Sequence, residues 1–314
     1  MKAVKLEAPR VLTVESQPCP EISDEEILVR VRACGVCMSE VDLWEGRRSG
    51  ATFPSYPGHE ISGTVEKVGS AVQTLRKGDR VVVYTYGGFA EYCKVPGSEA
   101  ILIPDGIPFD VAAMTEPVGS AIAAGWRSRV RIGDRVGVIG VGFMGALMIQ
   151  VALLQGALEV VAIDIRPEAL DAAREAGAGC VLDARDPSVN LSDLSLDVTI
   201  ETAGVESTLN AAIEAVRIAG TVVVFGYHQG PGRTINMQMA NWKGIDMVNA
   251  HERSRALKLA AMRTGIKMLA ANKLRIAPFI SHRYHLDDIQ MAFEDASRKV
   301  PGYMKGVVVL GEPQ

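Results

Sequence analysis

Arg135-Val136-Gly137-Val138-Ile139-Gly140-Val141-Gly142-Phe143-Met144-Gly145 reads as a buried strand that turns through glycines into a helix, and it decides the fold of the middle of the chain. In a Gly-x-Gly-x-x-Gly turn of this kind, the first glycine permits the tight turn and the second lets backbone approach a pyrophosphate. The third lets the helix pack closely on the strand, and the helix N-terminus stabilises the anion. A second strand over 159–164 ends on Asp164, 24 residues after Gly140, where a carboxylate can accept hydrogen bonds from the adenosine ribose hydroxyls. A carboxylate there repels a 2′-phosphate, which favours NAD over NADP. Arg166 weighs the other way, because a guanidinium pairs with phosphate.

Outward from this turn, strands and helices alternate. Helices are expected over 144–154, 167–176 and 207–217, and strands over 198–201, 221–225 and 244–248. Such alternation predicts an α/β unit, a doubly wound parallel sheet of the Rossmann type with helices on both faces. Residues 1–105 differ: short period-two runs at 27–32 and 61–68, with further strands at 80–83 and 89–95, are broken by Gly and Pro. That texture predicts a β-rich, barrel-like unit. Residues 110–125 are Ala-rich and helix-prone. The tail reads as a long helix over 253–271, a strand-like stretch over 276–285, a helix over 286–297 and a closing strand over 306–310.

Ahead of the glycine turn stands Pro57-Gly58-His59-Glu60, preceded by Cys37 and followed by Glu116. A thiolate, an imidazole and a carboxylate together suit Zn²⁺, and three protein ligands leave a fourth position for water or substrate, the ligand count of a catalytic zinc. The donors lie far apart in sequence, so a folded domain has to assemble them.

Composition narrows the function classes. With 314 residues, 48% of them hydrophobic, the chain can bury a core larger than one domain requires. A formal charge of −4 offers no general attraction to nucleic acid or anionic membranes, and the apolar runs are strand-length, too short to span a bilayer. The N-terminus alternates like a strand and lacks a signal peptide's apolar stretch, so a cytoplasmic location is expected. Five cysteines in a chain of this size read as reduced thiols. Cys34-Gly35-Val36-Cys37 has no partner motif that would complete a zinc ribbon or a redox fold.

Several stretches together resemble the zinc-dependent alcohol and polyol dehydrogenases of the medium-chain dehydrogenase/reductase superfamily. They are Ala33-Cys34-Gly35-Val36-Cys37-Met38-Ser39-Glu40, Pro57-Gly58-His59-Glu60, Gly78-Asp79-Arg80-Val81, Gly88-Phe89-Ala90-Glu91-Tyr92, Glu116-Pro117, the Gly140 turn and Asn241-Trp242-Lys243-Gly244. The resemblance implies a GroES-like catalytic domain from both chain ends, 1–119 and 248–314, around a Rossmann NAD-binding domain over 120–247. It implies hydride transfer between NAD(H) and a secondary alcohol, polyol or sugar-derived hydroxyl, with the zinc as Lewis acid. Homodimers or homotetramers are implied as well.

Carried over by position, Cys37 and His59 resemble the first two zinc ligands, and Glu116 the third, a cysteine in classical alcohol dehydrogenases and a glutamate in sorbitol-like ones. Glu60 resembles a residue beside the metal, which leaves open which glutamate coordinates directly. Glu40 stands where the family's usual aspartate orients the ligand histidine. Ser39 matches the hydroxyl that relays the substrate proton, but Asp42 replaces the histidine that often continues the relay, so the proton leaves through Asp42 or through water. Ser120, Met144, Tyr227 and Met247 match positions near the nicotinamide. Relatives often carry a four-cysteine structural-zinc lobe where this chain has Tyr84-Thr85-Tyr86-Gly87 after Val83, so one zinc per chain is expected. His228 and His251 could face the cofactor or the substrate, or be ordinary loop residues. Trp44 could shape the substrate site or pack in the core. Two rival functions remain: a zinc-free, NADPH-dependent quinone or enoyl reductase of the same superfamily, and a cofactor-binding protein without turnover.

Overall fold

The computed structural model describes residues 1–230 and 232–311. The N-terminal elements are β1 (Lys2–Ala8), β2 (Val11–Ser16), β3 (Glu26–Gly35), α1 (Met38–Trp44), β4 (Glu60–Val68), β5 (Arg80–Val83), β6 (Tyr92–Pro96), β7 (Ala100–Leu102) and α2 (Phe109–Ala113). After α3 (Thr115–Arg127) come β8 (Arg135–Ile139), α4 (Phe143–Leu154), β9 (Glu159–Asp164), α5 (Pro167–Glu175), β10 (Cys180–Asp183), β11 (Leu196–Glu201), α6 (Glu206–Ala215), β12 (Val216–Val224), α7 (Met237–Lys243) and β13 (Asp246–Asn249). The tail holds α8 (Arg255–Ala270), β14 (His282–His285), α9 (Ile289–Arg298) and β15 (Gly306–Val309).

Two compact units result. The first comprises Met1–Pro117, Met262–Asn272 and the chain from Ile276. Its β1–β2 hairpin accompanies a seven-stranded sheet in the order β14-β15-β3-β4-β5-β7, with β6 on the same edge of β3 as β15. No pairing joins β7 back to β14 or β6 among the described residues, so the barrel-like unit is not closed by a strand ladder there. Val29, Val31, Ile61, Phe89 and Phe293 form its core. Trp44 joins them, 2% exposed and edge-on to Phe293 at 6.1 Å, which settles its role as packing. The β3–β4 register opposes Gly35 to Glu60, so the end of one strand and the start of its neighbour meet where Cys37 and His59 follow and precede them.

The second unit comprises Val118–Ala261 and Lys273–Arg275. Its six strands are all parallel in the order β10-β9-β8-β11-β12-β13, the doubly wound arrangement whose strand order reverses between β8 and β11. Residues 248–261 and 273–275 lie in this unit. Asn249 closes the β12–β13 ladder, Ala250 N donates to Val224 O at 2.9 Å, and the Gln150 side-chain amide accepts from Arg275 N at 2.8 Å and donates to Arg275 O at 3.0 Å. Lys243, only 8% exposed, donates its ammonium to the carbonyls of Ile213, Glu214 and Val216, and so caps the end of α6. That explains the lysine of the Asn241-Trp242-Lys243-Gly244 run.

Several expected elements shift, the helix read over 286–297 starting at Ile289 and the strand read over 244–248 at Asp246. The strand read from 89 begins at Tyr92, because the Gly88 and Phe89 amides bond to Gly58 and Pro57 instead. The strand-like 276–285 is a 3₁₀ turn at Ala277–Phe279 and then β14, since Pro278 has no amide to donate to a ladder. The helix read over 207–217 stops at Ala215, and Val216 and Arg217 open β12. No helix among the described residues is long and apolar enough to cross a membrane.

Candidate functional site

β3 runs out at Gly35, and Cys37 caps the N-terminus of α1 from extended backbone. Glu40 in the first turn of that helix is buried. Opposite, Gly58 takes φ +105°, and a Cβ on it would lie 2.5 Å from Phe89 N and 2.8 Å from Gly88 N. Glycine is therefore required to bring the turn against segment 88–89, and Gly88 N donates to Gly58 O at 2.9 Å to hold it there. This turn delivers His59 and then Glu60 at the start of β4.

One ligand atom each from Cys37, His59 and Glu60 lies within 4.8 Å of the others. Glu40 Oε1 stands 2.9 Å from His59 Nδ1 and accepts the Gly58 amide at 2.5 Å. An Nδ1–H held in this way leaves the Nε2 lone pair free for a metal. Burial opposes charge on the imidazole, but Glu40 and Cys37 outweigh it and hold the His59 pKa well above its ordinary value. Without a metal the imidazole therefore holds a second proton at Nε2, which a metal ion bound between Cys37, His59 and Glu60 would displace. The donor chemistry fits Zn²⁺.

Glu60 is 1% exposed, and burial raises its pKa against the opposing charges of Lys305 and His59. The Lys305 ammonium, 2.7 Å away, donates to Glu60 Oε1 and to Val36 O at 3.0 Å. Burial lowers the Lys305 pKa, and Glu60 with Cys37 more than reverses this, so the lysine stays charged. Glu60 Oε2 accepts no aligned hydrogen bond and lies over Gly35, where a Cβ would come within 1.9 Å of it. Glu116, buried in the first turn of α3, acts by its charge on Glu60 and Lys305 but lies outside the three-residue cluster. Ser39 Oγ is 3.2 Å from Cys37 Sγ, and Asp42 Oδ1 is bound by Arg47 at 3.0 and 2.5 Å.

In the second unit the three glycines of the turn differ in their surroundings. A Cβ on Gly140 would meet Ala203 Cβ at 2.7 Å, and one on Gly145 would meet Gly140 O at 2.3 Å, so both are packed. At Gly142 the nearest atom to such a Cβ is Arg166 Nη2, 3.9 Å away, which leaves a cradle over the amides that open α4. No side chain caps that helix, and a pyrophosphate fits there. Asp164 Oδ2 accepts the Val141 amide at 2.6 Å, and Oδ1 accepts those of Ile165 and Arg166 at 2.7 and 2.9 Å. Phe143 is buried and Met144 half-buried at the start of α4, Tyr227 follows β12, Ser120 lies in α3, and Met247 is on the edge strand β13. His228 Nε2 is 3.0 Å from Glu201, and His251 Nε2 is 3.3 Å from Gly226 O, with its ring between Phe225 and Tyr227. Burial lowers the His251 pKa.

Sequence reasoning missed Lys305 and Gly35. A lysine ahead of Gly-Val-Val-Val reads as a solvated strand end, and nothing local marks it as the partner of a carboxylate 245 residues away. Gly35 stands inside a motif that had been quoted, yet the oxygen that requires its missing Cβ belongs to another strand.

The profile of the alcohol dehydrogenase GroES-like domain matches residues 23–105, and that of the zinc-binding dehydrogenases matches residues 144–269. A sorbitol dehydrogenase of Macaca fascicularis is 32% identical over 326 aligned positions, which cover 91% of this chain and 90% of the relative. The chain belongs to the zinc-dependent alcohol and polyol dehydrogenases of the medium-chain dehydrogenase/reductase superfamily. Among solved structures, a Sinorhizobium meliloti 1021 chain described as a zinc-binding dehydrogenase and bound to NADP is 26% identical, with a TM-score of 0.89 over 98% of this chain and 99% of that one. An alcohol dehydrogenase of Thermus sp. ATN1 is 25% identical, with a TM-score of 0.85 over 99% and 100%. This dehydrogenase accordingly works with zinc and a nicotinamide cofactor, and its GroES-like and Rossmann units follow the family fold.

Proposed function

We propose that the chain oxidises a secondary hydroxyl of an alcohol, polyol or sugar-derived substrate, and reduces the matching ketone, with NAD(H) as the preferred cofactor. The observation that carries this reading is the Cys37–His59–Glu60 cluster with His59 Nδ1 held by Glu40. Cys37, His59 and Glu60 hold the zinc, and Glu116 stands by as a second carboxylate. A bound zinc supplies Lewis acidity that lowers the pKa of a substrate hydroxyl.

Each neighbouring residue has its own task. Glu40 fixes the His59 tautomer, while Lys305 compensates the Glu60 charge and orients its carboxylate. Ser39, beside Cys37, accepts the substrate proton. Since Arg47 engages Asp42, the proton passes from Ser39 to water. Gly140, Gly142, Phe143, Met144 and Gly145 frame the pyrophosphate site, and Asp164 receives the adenosine ribose. Three backbone amides already orient that carboxylate, which supports NAD, while Arg166 beside the Gly142 cradle is the feature that would tolerate a 2′-phosphate. Ser120, Tyr227 and Met247 are assigned to the nicotinamide end. The chain ends form the catalytic domain and the middle the nucleotide-binding domain of a cytoplasmic homodimer or homotetramer. The test is a panel of polyols and secondary alcohols offered with NAD⁺ or NADP⁺ and followed by NAD(P)H absorbance. Turnover of several panel members with NAD⁺ supports the reading, and silence across the panel overturns it.

A further inference from the structure

Tyr86 belongs to the four residues that stand where relatives often carry a metal-binding lobe. Its ring centroid lies 5.8 Å from the imidazole of His59 with the planes tilted by 53°, yet the residue is 65% exposed. An aromatic side chain exposed to that degree has not been placed to fill the core. Two residues further on, Gly88 N donates to Gly58 O and Phe89 N to Pro57 O, at 2.9 and 3.4 Å. These bonds join the segment carrying Tyr86 to the turn that carries His59. The backbone that carries Tyr86 is thus tied to the turn that carries His59, and the Tyr86 ring stands exposed beside that imidazole.

We infer that Tyr86 forms the wall of the substrate site that stacks on the C–H face of a polyhydroxylated substrate whose reacting hydroxyl sits at the metal. This deepens, and rests on, the polyol reading of the same site. A polyol or sugar carries hydroxyls on one side of a carbon and C–H bonds on the other. A neutral aromatic face takes the C–H side without competing for the hydroxyls, and the phenol O–H can bond a neighbouring one. A short secondary alcohol has too little carbon chain to reach the ring. The contact therefore selects for longer polyhydroxylated substrates over butan-2-ol.

The experiment compares wild type, Tyr86→Phe and Tyr86→Ala on the best polyol of the panel and on butan-2-ol, with zinc per chain and Tm measured for each. Tyr86→Ala is expected to raise KM for the polyol about tenfold, leave kcat within about twofold, and leave KM for butan-2-ol and the zinc content unchanged. Tyr86→Phe, which keeps the ring, is expected to recover most of the affinity. Equal KM changes for both substrates, loss of zinc, or no change in KM would each overturn the role. Inactivity of the wild type across the panel would instead overturn the polyol reading beneath it, so the two failures are distinguishable.

Discussion

Replacing Lys305 by methionine keeps the unbranched stem and removes the charge that faces Glu60. The pair is buried, with side chains 7% and 1% exposed and 2.7 Å between charged atoms. Removing one member leaves a carboxylate that cannot be hydrated, at a cost of about 3–5 kcal/mol. The methionine fills most of the lysine's volume, so little of that cost comes from a cavity. At about 2–4 °C per kcal/mol the Tm of metal-stripped protein falls by roughly 6–20 °C. The pH dependence has a definite sign. Burial already raises the folded-state pKa of Glu60 above its unfolded value, and losing Lys305 raises it further. A carboxyl of this kind loses stability as pH rises from the unfolded to the folded value, because the unfolded state gives up its proton first. The gap between variant and wild type is therefore widest in alkali and narrows toward acid. Urea titrations of both proteins between pH 5 and 9, with Glu60→Gln/Lys305→Met beside them, measure it. The double variant should regain most of the loss, since a neutral amide needs no counter-charge. A Lys305→Met penalty under about 1 kcal/mol at pH 8, or one that grows toward acid, would refute the ion-pair argument.

Further outcomes follow from the same geometry. Gly58→Ala forces a Cβ into the amides of residues 88 and 89, so it should cost about 1–3 kcal/mol in urea titration and displace His59, with zinc per chain falling in parallel. Asp42→Asn should change kcat by less than about twofold if the proton leaves through water; a drop of a hundredfold would make Asp42 the relay. Asp164→Ser should shift the ratio of kcat/KM for NAD⁺ over NADP⁺ toward NADP⁺ by about tenfold, and an unchanged ratio would show that Asp164 does not read the ribose. Zinc uptake should weaken as pH falls, because Glu40 and Cys37 keep His59 protonated in the metal-free protein above its ordinary range. Calorimetry in buffers of different ionisation enthalpy would count the proton released.

Much of the fold was legible because it rests on local patterns. Strands 80–83, 135–139 and 159–164 coincide with β5, β8 and β9, and the apolar runs of β8 and β9 end at Gly140 and at Asp164. β10 escaped notice because Cys180-Val181-Leu182-Asp183 is short and only half-buried at the sheet's edge, so it carries no alternation to read. At the site, the donors were visible as residue types, but their grouping was not. The sequence put Glu116 forward as the third ligand and Glu60 beside the metal, and only the β3–β4 register, which sets Glu60 against Gly35, draws Glu60 into the cluster with Cys37 and His59. Lys305 depends on β15 lying along β3, a pairing between opposite ends of the chain that no local pattern encodes.

In the reading proposed above, Cys37, His59 and Glu60 hold one zinc on which hydride transfer depends. Zinc per folded chain, measured by elemental analysis in wild type and His59→Ala alongside NADH formation from the best polyol, tests it most directly. One zinc and turnover are expected in the wild type, and no zinc, no turnover and intact NADH binding in the variant. Turnover by a metal-free His59→Ala protein, or two zincs per wild-type chain, would contradict it.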